Sequence, residues 1–481
     1  MLSRETCLRA IASRDRRFDG QFFMAVRTTG IYCRPSCPAM TPKPNNVSFY
    51  PSAAAAQGAG YRACRRCRPD TVPGSPEWDV RSDQVARAVR MIADGFLDRD
   101  GVPALAHRLG YSVRHLQRTV REELGASPVA LARAQRAHTA RILAEGTDMP
   151  LTDVAFAAGF GSVRAFNEAV RTAYGASPRE LRGARRQAAT PGALSLRLAY
   201  REPFEPSNVF GHLAATAIPG VEEWRDGAYR RTLRLPHGPG IVALAPGAGV
   251  VEATLWLTDL RDLTPAIARC RRLLDLDADA ETIGEQLGRD PLLAPLVAAA
   301  PGRRVPRMPD AAEFALRAVI GQQVSTAAAR TQAAAIVRRF GPSIEDPAGG
   351  LTHLFPSPED LESFTAADLP GFRARAETAV RMVRALADGT VDLGPEADWD
   401  EARSRLSALK GVGPWTIEMI AMRALGDPDA FPATDLGLLR VGRSLGVSLA
   451  QLSPRWSPWR SYATQYLWAL EDHPISHLPP P

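Results

Sequence analysis

Lysine is nearly missing from this chain. Of 59 basic residues only Lys43 and Lys410 are lysines, so any mechanism that forms a Schiff base has two amines to choose from. Also missing is an apolar run of about 18 residues, the length a membrane helix needs, and no signal peptide precedes the start, so a soluble, intracellular protein is expected. Cysteine is scarce, six in 481 residues, which excludes a disulfide-dense scaffold and fits a reducing compartment that leaves thiols free for metal. Two of the six, Cys7 and Cys270, stand apart. Cys270, inside Ile267–Leu274, reads as a small packed residue of a helix.

What is present is unevenly spread. Residues 1–190 hold 29 Lys and Arg against 17 Asp and Glu, a net +12, while residues 191–481 hold 30 against 35, a net −5. The N-terminal part is the expected anchor on nucleic acid, although a basic face can simply be solvated. At this length one hydrophobic core does not suffice, and three or four domains are expected. Pro69–Pro76 and Arg185–Pro191 read as linkers.

The other four cysteines, Cys33, Cys37, Cys64 and Cys67, read Cys-x3-Cys, a 26-residue gap, then Cys-x2-Cys, among Arg34, Arg62, Arg65, Arg66 and Arg68. Four thiolates suit the tetrahedral preference of Zn2+ at about 2.3 Å per bond, and each knuckle supplies two of them. Spacing alone leaves open a zinc ribbon that only holds its own fold together. The surrounding stretches, Arg27-Thr28-Thr29-Gly30-Ile31-Tyr32-Cys33-Arg34-Pro35-Ser36-Cys37, Asn46–Tyr50 and Tyr61–Cys67, closely resemble the N-terminal domain of the Ada-type alkylation-response proteins, over about residues 1–75. The resemblance implies one zinc ion whose first cysteine, at the position of Cys33, is also a nucleophile that takes a methyl group from a DNA methylphosphotriester once and irreversibly. The arginines set among the cysteines make this a DNA-facing surface, with Arg34, Arg62 and Arg66 as the expected DNA contacts. A zinc-bound sulfur stays thiolate at neutral pH, and a cluster of net charge about −2 is electron-rich. Methylation removes one negative charge and lowers repulsion from phosphate, so a repair event can become a change in DNA affinity.

Further on, apolar positions recur at helical spacing. Pro103–Gly110 reads as a helix and a glycine turn, Ser112 as an N-cap, and Val113–Val120 as a second helix. The pattern returns about fifty residues later as Leu151–Phe160, Ser162 and Val163–Arg171, and even the tails repeat, Gly125-Ala126-Ser127-Pro128 and Gly175-Ala176-Ser177-Pro178. A single helix-turn-helix is often only packing. Two in tandem resemble the AraC-type DNA-binding domain. That resemblance makes the helices after Ser112 and Ser162 recognition helices, with Arg114, His115, Gln117 and Arg118 as major-groove candidates in the first and Arg164, Asn167 and Glu168 in the second. Arg and Gln suit bidentate contacts to guanine and adenine edges.

Residues 193–300 open with the alternating run Leu194–Tyr200, and strand-like runs follow at Tyr229–Leu235, Gly240–Leu244 and Val250–Leu257, with helices from Pro265 onward. Nothing in this stretch looks catalytic. Beyond it, Glu401–Leu409 reads as a helix, Lys410-Gly411-Val412-Gly413 as a hairpin and Pro414–Met422 as a helix with proline in its first turn. Glycines let backbone approach phosphate, and free amides at a helix start favour an anion, although a bland turn has the same letters. Phe431-Pro432-Ala433-Thr434-Asp435 then sets a carboxylate before another helix, where an N-cap is the simple reading.

Together with Arg317–Ser325 and Pro458–Ala463, these segments resemble the helix-hairpin-helix DNA glycosylases, and more narrowly 3-methyladenine DNA glycosylase II, over about residues 195–475. The resemblance implies that Asp435 is the catalytic carboxylate, stabilising an oxocarbenium-like sugar and orienting water. Gly411 and Gly413 are the expected DNA contacts, and the resemblance implies that Trp415 and Trp468 are aromatic walls for a cationic base. Gln323 stands where the family uses an apolar wedge after base flipping. Met419, Leu436 and Ala469 depart from tyrosines of the family, which puts the substrate range in doubt. Trp415 also occupies the place of the Schiff-base lysine of bifunctional relatives, so a monofunctional glycosylase is expected. No four-cysteine iron–sulfur loop and no Pro-Cys-His-Arg acceptor motif occur.

The expected protein is multidomain α+β, mostly α: a four-cysteine zinc domain (1–75), a double helix-turn-helix domain (80–187), a β-rich subdomain (193–300) and a helix-hairpin-helix glycosylase domain (301–481). The expected function is alkylation repair joined to transcription activation, acting on alkylated and promoter double-stranded DNA with RNA polymerase as partner, in the cytoplasm at the nucleoid. The alternatives are a regulator whose glycosylase half only binds DNA, and a zinc-stabilised scaffold without chemistry.

Overall fold

The computed structural model describes residues 2–15, 18–69, 84–147, 149–182, 192–471, 475 and 477–480. Apart from Pro69, the two expected linkers lie outside the described residues. The chain forms two units, Met1–Tyr200 with Pro236–Gly238 and Thr254–Ala268, and Arg201–Leu235 with Pro239–Ala253 and Arg269–Pro481.

In the first unit β1 (Phe23–Val26), β2 (Ile31–Cys33), β3 (Val47–Tyr50) and β4 (Arg62–Ala63) form a sheet of order β3-β1-β2-β4. The strand β1 pairs antiparallel with β2 and β3, while β2 runs parallel to β4 with Tyr32 opposite Ala63. Helices Arg4–Ser13 and Ala53–Gly58 start at serines whose hydroxyls accept a backbone N–H, Ser3 from Thr6 and Ser52 from Ala55. Helices follow at Gln84–Ala93, Phe96–Arg108, Val113–Leu124, Pro128–Gly146, Leu151–Ala157, Val163–Tyr174 and Pro178–Arg182. The chain breaks at Gly101 (φ 76°), so Phe96–Arg108 is two helical pieces.

The fifty-residue repeat is visible in packing. Leu116, Val120 and Leu124 are buried in one copy, and Phe166, Val170 and Tyr174 in the other, at the same i, i+4, i+8 register. Ser112 and Ser162 cap the two helices, which end at Gly125 (φ 67°) and Gly175 (φ 61°) in the left-handed conformation that glycine adopts without strain. The cysteine domain rests on both of these corners. Ser52 Oγ donates to Leu124 O (2.8 Å), Arg65 Nη2 to Gly175 O (3.2 Å), and Arg68 pairs with Glu145 (2.7 Å).

A second sheet contains β5 (Leu194–Ala199), β6 (Glu222–Arg225), β7 (Ala228–Leu235), β8 (Gly238–Gly247) and β9 (Val250–Leu257) in the order β5-β9-β8-β7-β6. The strand β6 has no sequence counterpart among the expected runs. Its Glu-Glu-Trp-Arg does not alternate, and it forms because Asp226 (φ 53°) and Gly227 (φ 74°) make a two-residue turn that returns it antiparallel on β7, Trp224 opposite Tyr229. Behind β7 a buried charge cluster joins the strand to the helix Ala311–Ile320. Arg231 bonds Glu222 (3.2 Å) and Glu313 (2.7 Å), and Arg317 bonds the same two carboxylates at 2.9 Å each. Two cations meet two anions, which is what allows the group to be buried.

The rest of the second unit is helical, around two apolar clusters. One gathers Phe314, Val319, Ile336, Met382, Leu406 and Ile420, and the other gathers Leu293, Phe431, Leu438, Trp456 and Leu467. The helix expected at Glu401–Leu409 runs Trp399–Ser407, because Asp398 caps it by accepting from Asp400 N and Glu401 N. Pro414–Ile420 continues through a wide turn of π type at Ala421–Leu425.

Candidate functional site

Strand pairing builds the first site. Cys33 ends β2 and Cys64 follows β4, and Cys64 N donates to Tyr32 O at 3.0 Å, so parallel pairing puts the two knuckles side by side. Each knuckle is a tight turn, closed by Cys37 N to Arg34 O (3.1 Å) and by Arg68 N to Cys64 O (3.0 Å). The four sulfurs lie within 4.8 Å of one another and all four residues are buried. Tetrahedral bonds of ~2.3 Å need sulfurs about 3.8 Å apart, so the donor set fits one Zn2+. Burial does not single out Cys33, since its exposure of 5% equals that of Cys67.

The arginines around this centre have distinct settings. Arg34 reaches Asp19 (3.5 Å), whose carboxylate also accepts from Ser36 N and Oγ. Arg62 lies along Gly175, where an added Cβ would meet its Cδ at 2.7 Å, and Arg66 is exposed. In the first recognition-type helix Arg114 and Arg118 are exposed, His115 stacks on Tyr111 (5.1 Å) and hydrogen-bonds Arg118 (3.3 Å), and Gln117 is half-buried. In the second, Arg164 and Glu168 are exposed, while Asn167 donates to Val163 O at 2.8 Å along its own helix.

The second site centres on Asp435. Its Oδ1 accepts from Leu438 N (3.1 Å), so the residue is an N-cap, and from Trp468 Nε1 (2.8 Å), while Oδ2 accepts from Trp415 Nε1 (3.0 Å). Trp415, early in the hairpin helix, and Trp468, ending the helix Arg460–Trp468, are thereby brought onto one carboxylate. Trp415 also lines a 280 Å³ cavity with Met419, Arg423, Arg317, His212 and Thr216. Gly411 (φ 93°) is a required glycine, because a Cβ there would lie 2.0 Å from Thr378 Oγ1, whereas Gly413 faces open space. Gln323 is exposed and holds φ 57°, a left-handed conformation costly for a non-glycine residue. Leu436 points outward, 66% exposed, and is not part of the cavity wall.

Two contributions escaped sequence reasoning. The helix Pro206–Thr216 lies in the stretch where nothing looks catalytic, and its His212, Leu213 and Thr216 form cavity wall; nothing in the local pattern distinguishes a lining helix from a packing one. Arg423 is the other. It is 3% exposed, bonds Pro306 O at 2.8 Å, sits 5.6 Å from the Trp468 ring centre, and is pushed down to about 9 by burial. Only its position in the wide turn after the hairpin helix brings it there.

A four-cysteine metal centre on a duplicated helix-turn-helix, followed by a helix-hairpin-helix unit with a tryptophan-held aspartate, defines a DNA-binding repair protein of fused parts. The chain matches the metal-binding domain of Ada over residues 6–70, a helix-turn-helix domain over 105–184 and the AlkA N-terminal domain over 195–310. It is 57% identical to the probable bifunctional transcriptional activator/DNA repair enzyme AlkA of Mycobacterium tuberculosis, over 99% of this chain and 98% of that protein. It is 32% identical to DNA-3-methyladenine glycosylase 2 of Escherichia coli, over 57% of this chain and 96% of the relative. The 3-methyladenine DNA-glycosylase of Archaeoglobus fulgidus shares the fold, with a TM-score of 0.50 at 23% identity, covering 57% of this chain and 97% of that one. The chain belongs to the family of bifunctional AlkA-type transcriptional activators and DNA repair enzymes.

Proposed function

We propose that this protein repairs alkylated DNA in two ways and converts one of them into transcription activation. In the first, Cys33 Sγ attacks the methyl carbon of a methylphosphotriester; the new S–C bond replaces the O–C bond, and the phosphate leaves as the ordinary diester anion. Cys33, Cys37, Cys64 and Cys67 would hold one Zn2+, which keeps the attacking sulfur a thiolate. The methylated protein, one negative charge poorer, then binds promoter DNA through Arg114, His115, Gln117, Arg118, Arg164 and Asn167, with Arg34, Arg62 and Arg66 toward phosphate, and engages RNA polymerase. In the second, Gly411 and Gly413 bring the hairpin backbone to phosphate, Gln323 fills the stack, and a flipped alkylpurine such as 3-methyladenine enters beside Trp415 and Trp468. The C1′–N bond breaks with its electron pair leaving on the base, and the Asp435 carboxylate stabilises the positive sugar and orients water.

The observation that carries the glycosylase reading is the pair of indole N–H groups on Asp435, since a mere helix cap needs neither. Among the described residues no helix is long and apolar enough to cross a membrane. The test is incubation of the intact protein with radiomethylated DNA, followed by separate counting of label on protein and in free base. Label in both is expected, with one methyl on Cys33 by peptide mapping. Label on Cys7 or Cys270 instead would refute the Cys33 assignment, and no free base would refute the glycosylase.

A further inference from the structure

The cavity beside Trp415 has an uneven charge. Among the described residues that line it are four arginines, Arg307, Arg317, Arg330 and Arg423, and no aspartate or glutamate. Two of the four are neutralised from behind. Arg317 bonds Glu222 and Glu313 at 2.9 Å each, and Arg307 bonds Asp275 at 2.9 Å. Among the described residues the other two hydrogen-bond only to carbonyl oxygens, Arg330 to that of Ala217 (2.7 Å) and Arg423 to that of Pro306 (2.8 Å). Arg330 is half-buried and within reach of water. Arg423 is 3% exposed, and its buried Nε has no acceptor. Burial pushes its pKa down to about 9, a shift that the Asp435 carboxylate only partly opposes. Met308, Phe314, Ile320, Trp415 and Met419 make much of the remaining wall apolar, so this cation gains most from an acceptor that a ligand brings in.

A guanidinium has only N–H donors and no acceptor, so it can pair with a carbonyl and not with an amino group. That distinction divides the purines. Their edge remote from the glycosidic nitrogen carries a C6 carbonyl in guanine and hypoxanthine and a C6 amino group in adenine. With the sugar carbon at Asp435, this edge is the part of a flipped base that reaches furthest into the cavity. Charge acts in the same direction. The positive charge of 7-methylguanine is centred on its imidazole ring, toward the sugar, whereas that of 3-methyladenine spreads over the pyrimidine ring and the amino group, toward Arg423.

We propose that Arg423 determines specificity in this cavity: its guanidinium donates to the C6 carbonyl of the flipped base, which favours 6-oxopurine lesions such as 7-methylguanine over 6-aminopurine lesions such as 3-methyladenine. The proposal deepens the glycosylase reading above and rests on it. Arg423 touches the base and takes no part in breaking the C1′–N bond.

The test uses the full-length protein and duplex DNA treated with dimethyl sulfate, which carries both lesions on one substrate, and follows single-turnover release of each base by chromatography. The readout is the ratio of the two rates relative to the parent. Intrinsic lability cancels in that ratio, and a partly unfolded sample lowers both rates alike. Arg423→Gln keeps a donor for Pro306 O, removes the charge and offers the amino group an acceptor. Its 7-methylguanine to 3-methyladenine ratio is expected to fall roughly 10- to 100-fold, the weight of one hydrogen bond to a charged group. Arg423→Lys, which keeps a cation that only donates, is expected to hold the ratio within about threefold of the parent. A comparison that needs no variant runs on the parent itself, where free hypoxanthine should inhibit base release at about tenfold lower concentration than free adenine. An unchanged ratio in Arg423→Gln, or adenine inhibiting as well as hypoxanthine, would overturn the role of Arg423. Absence of base release by the parent on this DNA would instead overturn the glycosylase reading.

Discussion

At Asp435 the carboxylate that caps the helix Leu436–Ser444 also accepts two indole N–H groups, so its orientation is determined from three directions. Asp435→Asn keeps the shape and the cap but removes the charge. Melting should be nearly unchanged, while single-turnover release of 7-methylguanine should fall by on the order of 10²–10³, as when one preorganised electrostatic partner is deleted from a dry site. A parental rate in Asp435→Asn would leave the residue a cap and nothing more. Trp468→Phe keeps the ring and deletes the 2.8 Å donor. A hydrogen bond to a charged group contributes ~1.5–3 kcal/mol, so the excision rate should drop roughly 10- to 100-fold with little change in damaged-DNA affinity. Equal loss of affinity and rate would mean that the ring's contact with the base, and not its N–H, is what counts.

Among the elements, the tandem helices show most directly what a sequence can disclose. Their period, caps and glycine ends follow from local chemistry, and the i, i+4, i+8 apolar register alone fixes the buried face. The four-cysteine centre was legible for the same reason, since knuckle spacing is a local property. What was not legible depends on tertiary contact. The strand β6 exists through pairing with β7, the helix Pro206–Thr216 is cavity wall only because of what packs beside it, and the corners Gly125 and Gly175 are also the seats of the cysteine domain. Gly175→Ala tests that seat. An L-residue at φ 61° costs ~1–2 kcal/mol, and the new Cβ would also press on Arg62 at 2.7 Å, so a fall in melting temperature should accompany weaker promoter-DNA binding. The buried cluster behind β7 makes a stronger demand. Glu313→Ala leaves Arg231 and Arg317 two cations for one carboxylate and should destabilise by ~3–5 kcal/mol in urea unfolding, whereas a surface pair would register almost nothing.

Across the whole molecule the two chemistries draw on separate parts of the chain. Every metal ligand lies between Cys33 and Cys67, while Asp435 and the cavity beside it are assembled from residues 212–468. The charge follows the same division, net +12 in residues 1–190 and −5 in the remainder, so the sensing half carries most of the long-range attraction to DNA. Metal removal should therefore divide the activities. The cysteine core packs the four sulfurs with Phe22, Met24 and Val47, a small cluster that depends on the ion as small metal domains do. A strong chelator, aided by mild acid that protonates the thiolates, should abolish methyl transfer to Cys33 and remove the lowest-temperature melting transition. Base release, assayed on the same sample at low salt, should stay within about threefold of the untreated protein, since the ion's ligands and the residues of the Asp435 site come from separate parts of the chain and the weaker electrostatic anchoring is small when phosphate contacts are little screened. Base release that falls in step with metal content would show instead that the glycosylase needs the folded cysteine domain, and the two repair reactions would then have to be treated as one coupled device.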